Sequence, residues 1–283
     1  AHLLPTPKRN ILNGGQHARN ASDFQEYMVV PIGASSYLEA MRMVTDCFAA
    51  LATLLTKRDL PTTVGDEGGF APPVSSNTET LDLLQEAVTT AGYTPGTDIA
   101  FALDVAATEF CKDGRYHLHT EDRTLTETEM IEYLSAMTDT YPIISIEDGL
   151  AEDAWSGWAT LTKQLPSQQI VGDDLLVTNH TRLEKAISSQ AGNSILIKPN
   201  QIGTLTETLH AITSAQTAGW NTIVSHRSGE TEDTTIVHLA VGTAAGQIKT
   251  GSVSRGERTA KHNELLRIES QANTITLAHP FSC

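Results

Sequence analysis

Six short apolar stretches from residue 99 onward are each followed, at once or after one residue, by an ionisable residue: Asp104, Glu147, Asp173, Lys198, His226 and Lys249. Three carboxylates come first, then two lysines and an imidazole. Two carboxylates held ~4 Å apart repel by roughly 4 kcal/mol at an effective dielectric of 20. Three in one cleft therefore call for a cation, and an all-oxygen donor set favours Mg²⁺, Mn²⁺ or Ca²⁺ over zinc or copper. A partly desolvated Lys198 beside such an ion is neutral often enough to act as a base. Taken singly, a strand-terminal Asp reads equally well as an N-cap for the next helix. Six ionisable residues in succession do not read that way, and lysine has no acceptor with which to cap.

Four further segments add donors and acids. Asn13-Gly14-Gly15-Gln16-His17 is a glycine-rich turn carrying an imidazole, and Gln25-Glu26 opens the stretch that follows it. Gly65-Asp66-Glu67-Gly68-Gly69 sets two acids in a loop, and Ser225-His226-Arg227-Ser228-Gly229 has the guanidinium, hydroxyl and backbone N–H groups that suit a phosphate. Each is weak alone, since glycine-rich turns are usually only turns.

The elements that would carry these residues follow from periodicity. Strands are expected over 10–15 and 25–30, then helices over 37–57 and 78–90, where apolar residues such as Met41, Val44, Phe48, Leu51 and Leu55 recur at three and four. Strands over 99–103, 143–146, 169–171, 195–197, 222–224 and 247–248 are each followed by a helical stretch. Two strands, two helices and six strand–helix units predict an α/β fold, a closed (β/α)8 TIM-type barrel of order ββαα(βα)6 whose strand C-termini meet at one mouth. The expected domain covers residues 1–270, with a tail over 271–283.

The 283 residues suffice for one such barrel. The formal net charge of −15 argues against nucleic acid as a partner, though not against a small anion met by local cations. The longest apolar stretch, over 48–55, is too short to insert in a membrane. The opening Ala1-His2-Leu3-Leu4-Pro5 does not resemble a secretory leader. Cys47, Cys111 and Cys283 have no metal-ligand spacing and suggest no disulfide framework, so a reducing, cytoplasmic setting is expected.

The chain resembles the enolases from Leu4 to about Glu269. The resemblance is carried by Leu12-Asn13-Gly14-Gly15-Gln16-His17-Ala18, Val64-Gly65-Asp66-Glu67-Gly68-Gly69-Phe70, Ala102-Leu103-Asp104-Val105-Ala106, Ser145-Ile146-Glu147-Asp148 and Gly172-Asp173-Asp174-Leu175. It continues through Lys198-Pro199-Asn200-Gln201-Ile202-Gly203-Thr204, the run from Ser225 to Asp233 and Gln247-Ile248-Lys249-Thr250-Gly251. It implies interconversion of 2-phosphoglycerate with phosphoenolpyruvate and water. By the same resemblance Asp104, Glu147 and Asp173 hold Mg²⁺, with a second Mg²⁺ joining when substrate binds. Lys198 takes the proton from carbon 2, Lys249 stabilises the charge that develops, and Glu67 assists loss of the hydroxyl with Glu26 and His17 nearby. Arg227 and Ser228 bind the phosphate, and Gln25 and His226 complete the substrate-binding set.

That family carries a smaller α+β domain before its barrel and forms homodimers through it, whereas this chain starts where the barrel starts. A weakened dimer is therefore expected. Gly149 stands where the family has proline, and its backbone freedom predicts looser positioning of Glu147. Enolases also occur on cell surfaces. A barrel serving as a binding scaffold, and another lyase or racemase of the superfamily, stay open as readings at this point.

Overall fold

Strands apolar on both faces need a layer on each side, and a ring of strands wrapped by helices supplies both. The computed structural model describes residues 2–17, 21–272 and 274–281. It forms a closed eight-stranded barrel. Its strands are β1 (Thr6–Asn13), β2 (Glu26–Val30), β3 (Ala100–Asp104), β4 (Ile143–Glu147), β5 (Gln169–Gly172), β6 (Ser194–Ile197), β7 (Asn221–Ser225) and β8 (Gly246–Lys249). They neighbour one another in chain order, and β8 closes on β1. Around them lie α1 (Tyr37–Lys57), α2 (Asn77–Thr90), α3 (Glu127–Thr140), α4 (Trp155–Gln164), α5 (His180–Ser189), α6 (Leu205–Thr217), α7 (Thr235–Gly242) and α8 (Gly256–Gln271). The expected ββαα(βα)6 order is the one found.

β2 runs antiparallel to β1 and to β3, while the other pairings are parallel. A short link permits only an antiparallel return, whereas parallel neighbours need a crossover helix. The reversal has a chemical consequence. β2 brings its first residue, Glu26, to the mouth where the other strands bring their last, and Glu26 stands in register with Asn13 and Asp104.

Two boundaries differ from expectation. β1 begins at Thr6 rather than residue 10, because Lys8 and Arg9 interrupt the apolar pattern although both are fully buried. Between β3 and α3 the chain forms a small antiparallel sheet from Cys111–Lys112, Arg115–Leu118 and Arg123–Leu125. Its first turn is Asp113-Gly114, both at positive φ, a hairpin signal that the barrel periodicity obscured. At the other end of the chain, Thr276–Leu277 pairs with Leu3–Leu4, and Phe281 packs on Met28, Val30 and Ala102 at the barrel floor.

Helix N-caps come from Ser36, Ser76, Thr126, Asn179 and Thr204, whose side chains accept from the first turn. Among the described residues no strand-end acid caps a helix. Lys198 precedes the four-residue helix Pro199–Ile202 and makes no side-chain cap bond. The strand-end groups are thereby left for other work. Among the described residues no helix is long and apolar enough to cross a membrane.

Gly149 is a crowded position rather than a loose one. A Cβ there would lie 3.0 Å from Leu134 Cδ1 and 3.2 Å from methyl groups of Ile146 and Leu161. The neighbouring chain is held by Val105 N–H on Glu147 O at 2.9 Å and Asp148 N–H on Val171 O at 3.0 Å. Packing therefore explains the glycine better than backbone freedom does. Gly149→Pro should cost about 1–3 kcal/mol by overpacking, read as a lowered urea midpoint with an unchanged slope. A stabilised variant would contradict this.

Candidate active site

Lys249, at the end of β8, projects into a cage of acids. Its Nζ lies 2.8 Å from Asp104 Oδ2, 2.8 Å from Glu147 Oε1 and 3.1 Å from Glu26 Oε1. All four side chains are buried. Burial, reinforced by Asp104, pushes the Glu147 carboxyl up to about 8. Burial also raises Glu26 well above the usual carboxylate range, with Glu67 adding to it. Burial opposes the charge on Lys249, but Asp104, Glu147 and Glu26 outweigh it and hold the ammonium above its ordinary range. One ammonium cannot answer three ionised carboxylates, so further positive charge in the cage would favour their ionised forms. Glu147 Oε2 and Glu26 Oε2 are buried without a hydrogen-bond partner among the described residues. Hard oxygen donors with unused lone pairs, already gathered round one cation, fit a divalent ion such as Mg²⁺.

A second group forms beyond β5 and β6. Lys198 Nζ donates to Asp173 Oδ2, and Gln201 Nε2 donates to Asp173 Oδ1 at 3.1 Å. Burial disfavours the Lys198 ammonium, yet Asp173 more than compensates, so its pKa is raised. Asp148 accepts the backbone N–H groups of Asp173 at 3.0 Å and Asp174 at 2.8 Å, which fixes the turn after β5. Asp148, Asp173 and Asp174 place one oxygen each within 4.8 Å of one another, an acidic trio that shares only Asp173 with the predicted set. Asp148 is occupied by those two amides, whereas Glu147 of the predicted set keeps one buried oxygen without a hydrogen-bond partner among the described residues. In this arrangement Asp104 and Glu147 are joined through Lys249, while Asp173 is held by Lys198.

A third group surrounds Glu67. Asn10 Nδ2 donates to Glu67 Oε2 at 3.3 Å, and His226 Nε2 faces Glu67 Oε1 at 3.4 Å. Arg258, fully buried on α8, lies 2.5 Å from His226 Nδ1 through Nη1. A guanidinium can only donate, so Nδ1 accepts and the proton sits on Nε2, toward Glu67. Burial lowers the His226 pKa and keeps the ring neutral. Arg258 also donates to the carbonyls of Arg227 at 2.7 Å, Ser228 at 2.7 Å and Asp66 at 3.0 Å. It thereby ties the Glu67 loop to the loop after β7. Gly251 makes this approach possible. It has φ +73°, and a Cβ there would lie 2.8 Å from Arg258 Cδ and 2.9 Å from Glu67 O.

At the rim, Arg227 Nη1 donates to Asn200 Oδ1 at 2.8 Å, Ser228 is exposed, and Gln25 Nε2 donates to Asp104 Oδ2 at 3.4 Å. A cavity of about 90 Å³ is lined by Gln25, Glu26, Glu67, Asp104, Lys198, His226, Arg227, Ser228 and Lys249, with Ser225. Nine of the twelve predicted residues thus share one cavity. Glu147 lies in the Lys249 cage and Asp173 against Lys198, while the His17 side chain lies outside the described residues. Asn10 and Arg258 were not anticipated, and Asp148, Ser225 and Gln201 lie in the quoted motifs without a role of their own. Asn10 and Ser225 could have been found from their place on β1 and β7, but nothing in the sequence marks an arginine in the first turn of α8. Ala106 and Asp148, just beyond β3 and β4, and Val177 and Thr178, in the loop before α5, hold left-handed backbone that non-glycine residues rarely adopt. Such strain, about 1–3 kcal/mol each, concentrates at functional sites.

Buried carboxylates, two lysines and a guanidinium gathered at one barrel mouth are groups able to stabilise negative charge on a small molecule. Residues 1–278 match the family described as enolase, C-terminal TIM barrel domain. The chain belongs to that family and so to the enolase superfamily.

Arg258→Lys cannot keep both the His226 contact and three carbonyl bonds. It should destabilise the protein by about 2–4 kcal/mol, measured by urea unfolding. A loss below ~0.5 kcal/mol, the range of ordinary surface substitutions, would show that Arg258 does not lock these loops.

Proposed function

We propose that this chain is a Mg²⁺-dependent lyase interconverting 2-phosphoglycerate with phosphoenolpyruvate and water. The observation that carries the reading is the cage of Asp104, Glu147 and Glu26 around Lys249. It is a site built for concentrated charge, and it faces Lys198 and the Arg227–Ser228 rim across one cavity. Asp104, Glu147 and Asp173 would hold Mg²⁺, which as a Lewis acid would take up charge on the substrate carboxylate.

The residues divide the remaining work. Arg227 and Ser228 take the phosphate at the rim, where guanidinium and hydroxyl donors suit it. Lys198 removes the proton from carbon 2. It becomes a competent base once Asp173 is engaged elsewhere, since the ion pair with Asp173 is what raises its pKa. Lys249, fixed as an ammonium, stabilises the negative charge that develops on the carboxylate oxygens. Glu67 is kept buried by Asn10 and faces His226 Nε2. A raised Glu26 stands nearby, and Glu67 in its acid form delivers a proton to the hydroxyl leaving carbon 3. The C2–H and C3–O bonds break, the carbon–carbon double bond forms, and water departs.

With Mg²⁺ and 2-phosphoglycerate the chain should produce absorbance at 240 nm. Lys198→Ala should lower turnover by about 10²–10⁴-fold and stop hydrogen exchange at carbon 2. Exchange that persists in Lys198→Ala would assign the base elsewhere.

A further inference from the structure

Lys8 is a third lysine of the barrel interior, and nothing above has used it. It lies on β1 with no solvent exposure. Its Nζ donates to Ser145 Oγ at 3.1 Å, two residues before Glu147 on the same inward face of β4. Gln169 Nε2 donates to the same oxygen at 3.0 Å, and Gln169 and Gln247 exchange bonds of 3.1 and 2.7 Å. Asn221 Nδ2 completes the layer by donating to Gln169 Oε1 at 2.9 Å. The layer below the mouth is therefore polar but neutral apart from Lys8. Among the described residues no carboxylate makes an ion pair with Lys8.

An ammonium buried with one hydroxyl partner is costly unless charge nearby compensates it. Burial, with the nearby charge of Lys249 adding to it, draws Lys8 down to about 8, and the carboxylates of Glu147, Asp104 and Glu26 oppose that. Lys8 thus keeps its charge near neutral pH because the acidic cluster lies above it, and the cluster is relieved in turn. Lys249 and Lys198 touch the carboxylates directly, so an incoming cation competes with them for oxygens. Lys8 touches none and is packed in the wall, so it stays.

Resting on the site reading above, we propose that Lys8 is a permanent counter-cation beneath the carboxylate cluster, a positioning residue that weakens divalent-cation binding at the mouth and strengthens the hold on an anionic substrate. Structural damage to the site would loosen a metal ion, whereas removal of this charge should tighten it, so the sign of the change separates the two.

The test is calorimetric titration of the full chain with Mg²⁺ alone at pH 7, comparing wild type with Lys8→Met and Lys8→Gln. The glutamine variant keeps a donor for Ser145 and serves where the methionine variant fails to fold. The Mg²⁺ dissociation constant should fall about tenfold in either neutral variant. Ser145→Ala, which keeps the charge, should stay within about threefold of wild type. A neutral variant that melts cooperatively yet binds Mg²⁺ with unchanged or weaker affinity would overturn the inference. The titration needs no turnover, so failure of the dehydration reading shows in the 240 nm assay, and failure of this inference shows in the ratio of dissociation constants.

Discussion

Mutual repulsion among carboxylates in a dry barrel mouth is the constraint to which the surrounding structure answers. Glu26, Glu67, Asp104, Glu147, Asp148 and Asp173 are all buried there, and burial, with neighbouring acids adding to it, raises Glu26, Glu147 and Asp148 above the usual carboxylate range. Each is answered locally. Lys249 bridges three of them, Lys198 holds Asp173, two backbone amides hold Asp148, and Asn10 holds Glu67. The compensation is incomplete at Glu147 and Glu26, each with a buried oxygen left over. Those two unused oxygens are the hard donors that suit the divalent ion proposed for this mouth.

The fold meets this constraint by delivery from many elements. Six parallel strands supply acids and cations at their C-terminal ends, and the reversed β2 supplies Glu26 from its N-terminal end. The loops are then locked from outside the ring. Arg258 spans the Glu67 loop and the loop after β7 from α8, and it also sets the tautomer of His226. The left-handed backbone at Ala106, Asp148, Val177 and Thr178 lies in segments joined to strands of the closed barrel.

The barrel interior divides by depth and side. Val171, Leu196 and Ile223 form an apolar cluster on β5 to β7, and Met28, Val30 and Ala102 form another toward the floor, covered by Phe281. Between them lies the polar layer of Lys8, Ser145, Gln169, Asn221 and Gln247. Apolar side chains fill the interior of most such barrels. Here the departure lies beneath the acidic mouth, where a cation and oriented dipoles are electrostatically useful.

The strand-end residues were legible because each follows an apolar run, and runs alternating with helical stretches define a barrel and the end at which its chemistry gathers. Helix α1 was legible to the residue, since its apolar positions recur at the helical period over 21 residues. Lys8, Arg9 and Arg258 were not, because a charged residue in a sequence reads as a surface residue and only the packed structure shows what surrounds it. The small sheet within residues 111–125 was hidden for a different reason: its strands are two to four residues long, too short for a period to register. Sequence alone thus determined the barrel, the family and the residues of the mouth. The tertiary structure decided which cation answers which acid, which oxygens remain unused and which tautomer His226 holds, because those depend on distances between residues far apart in the chain, from 25 positions for Lys198 and Asp173 to 145 for Lys249 and Asp104.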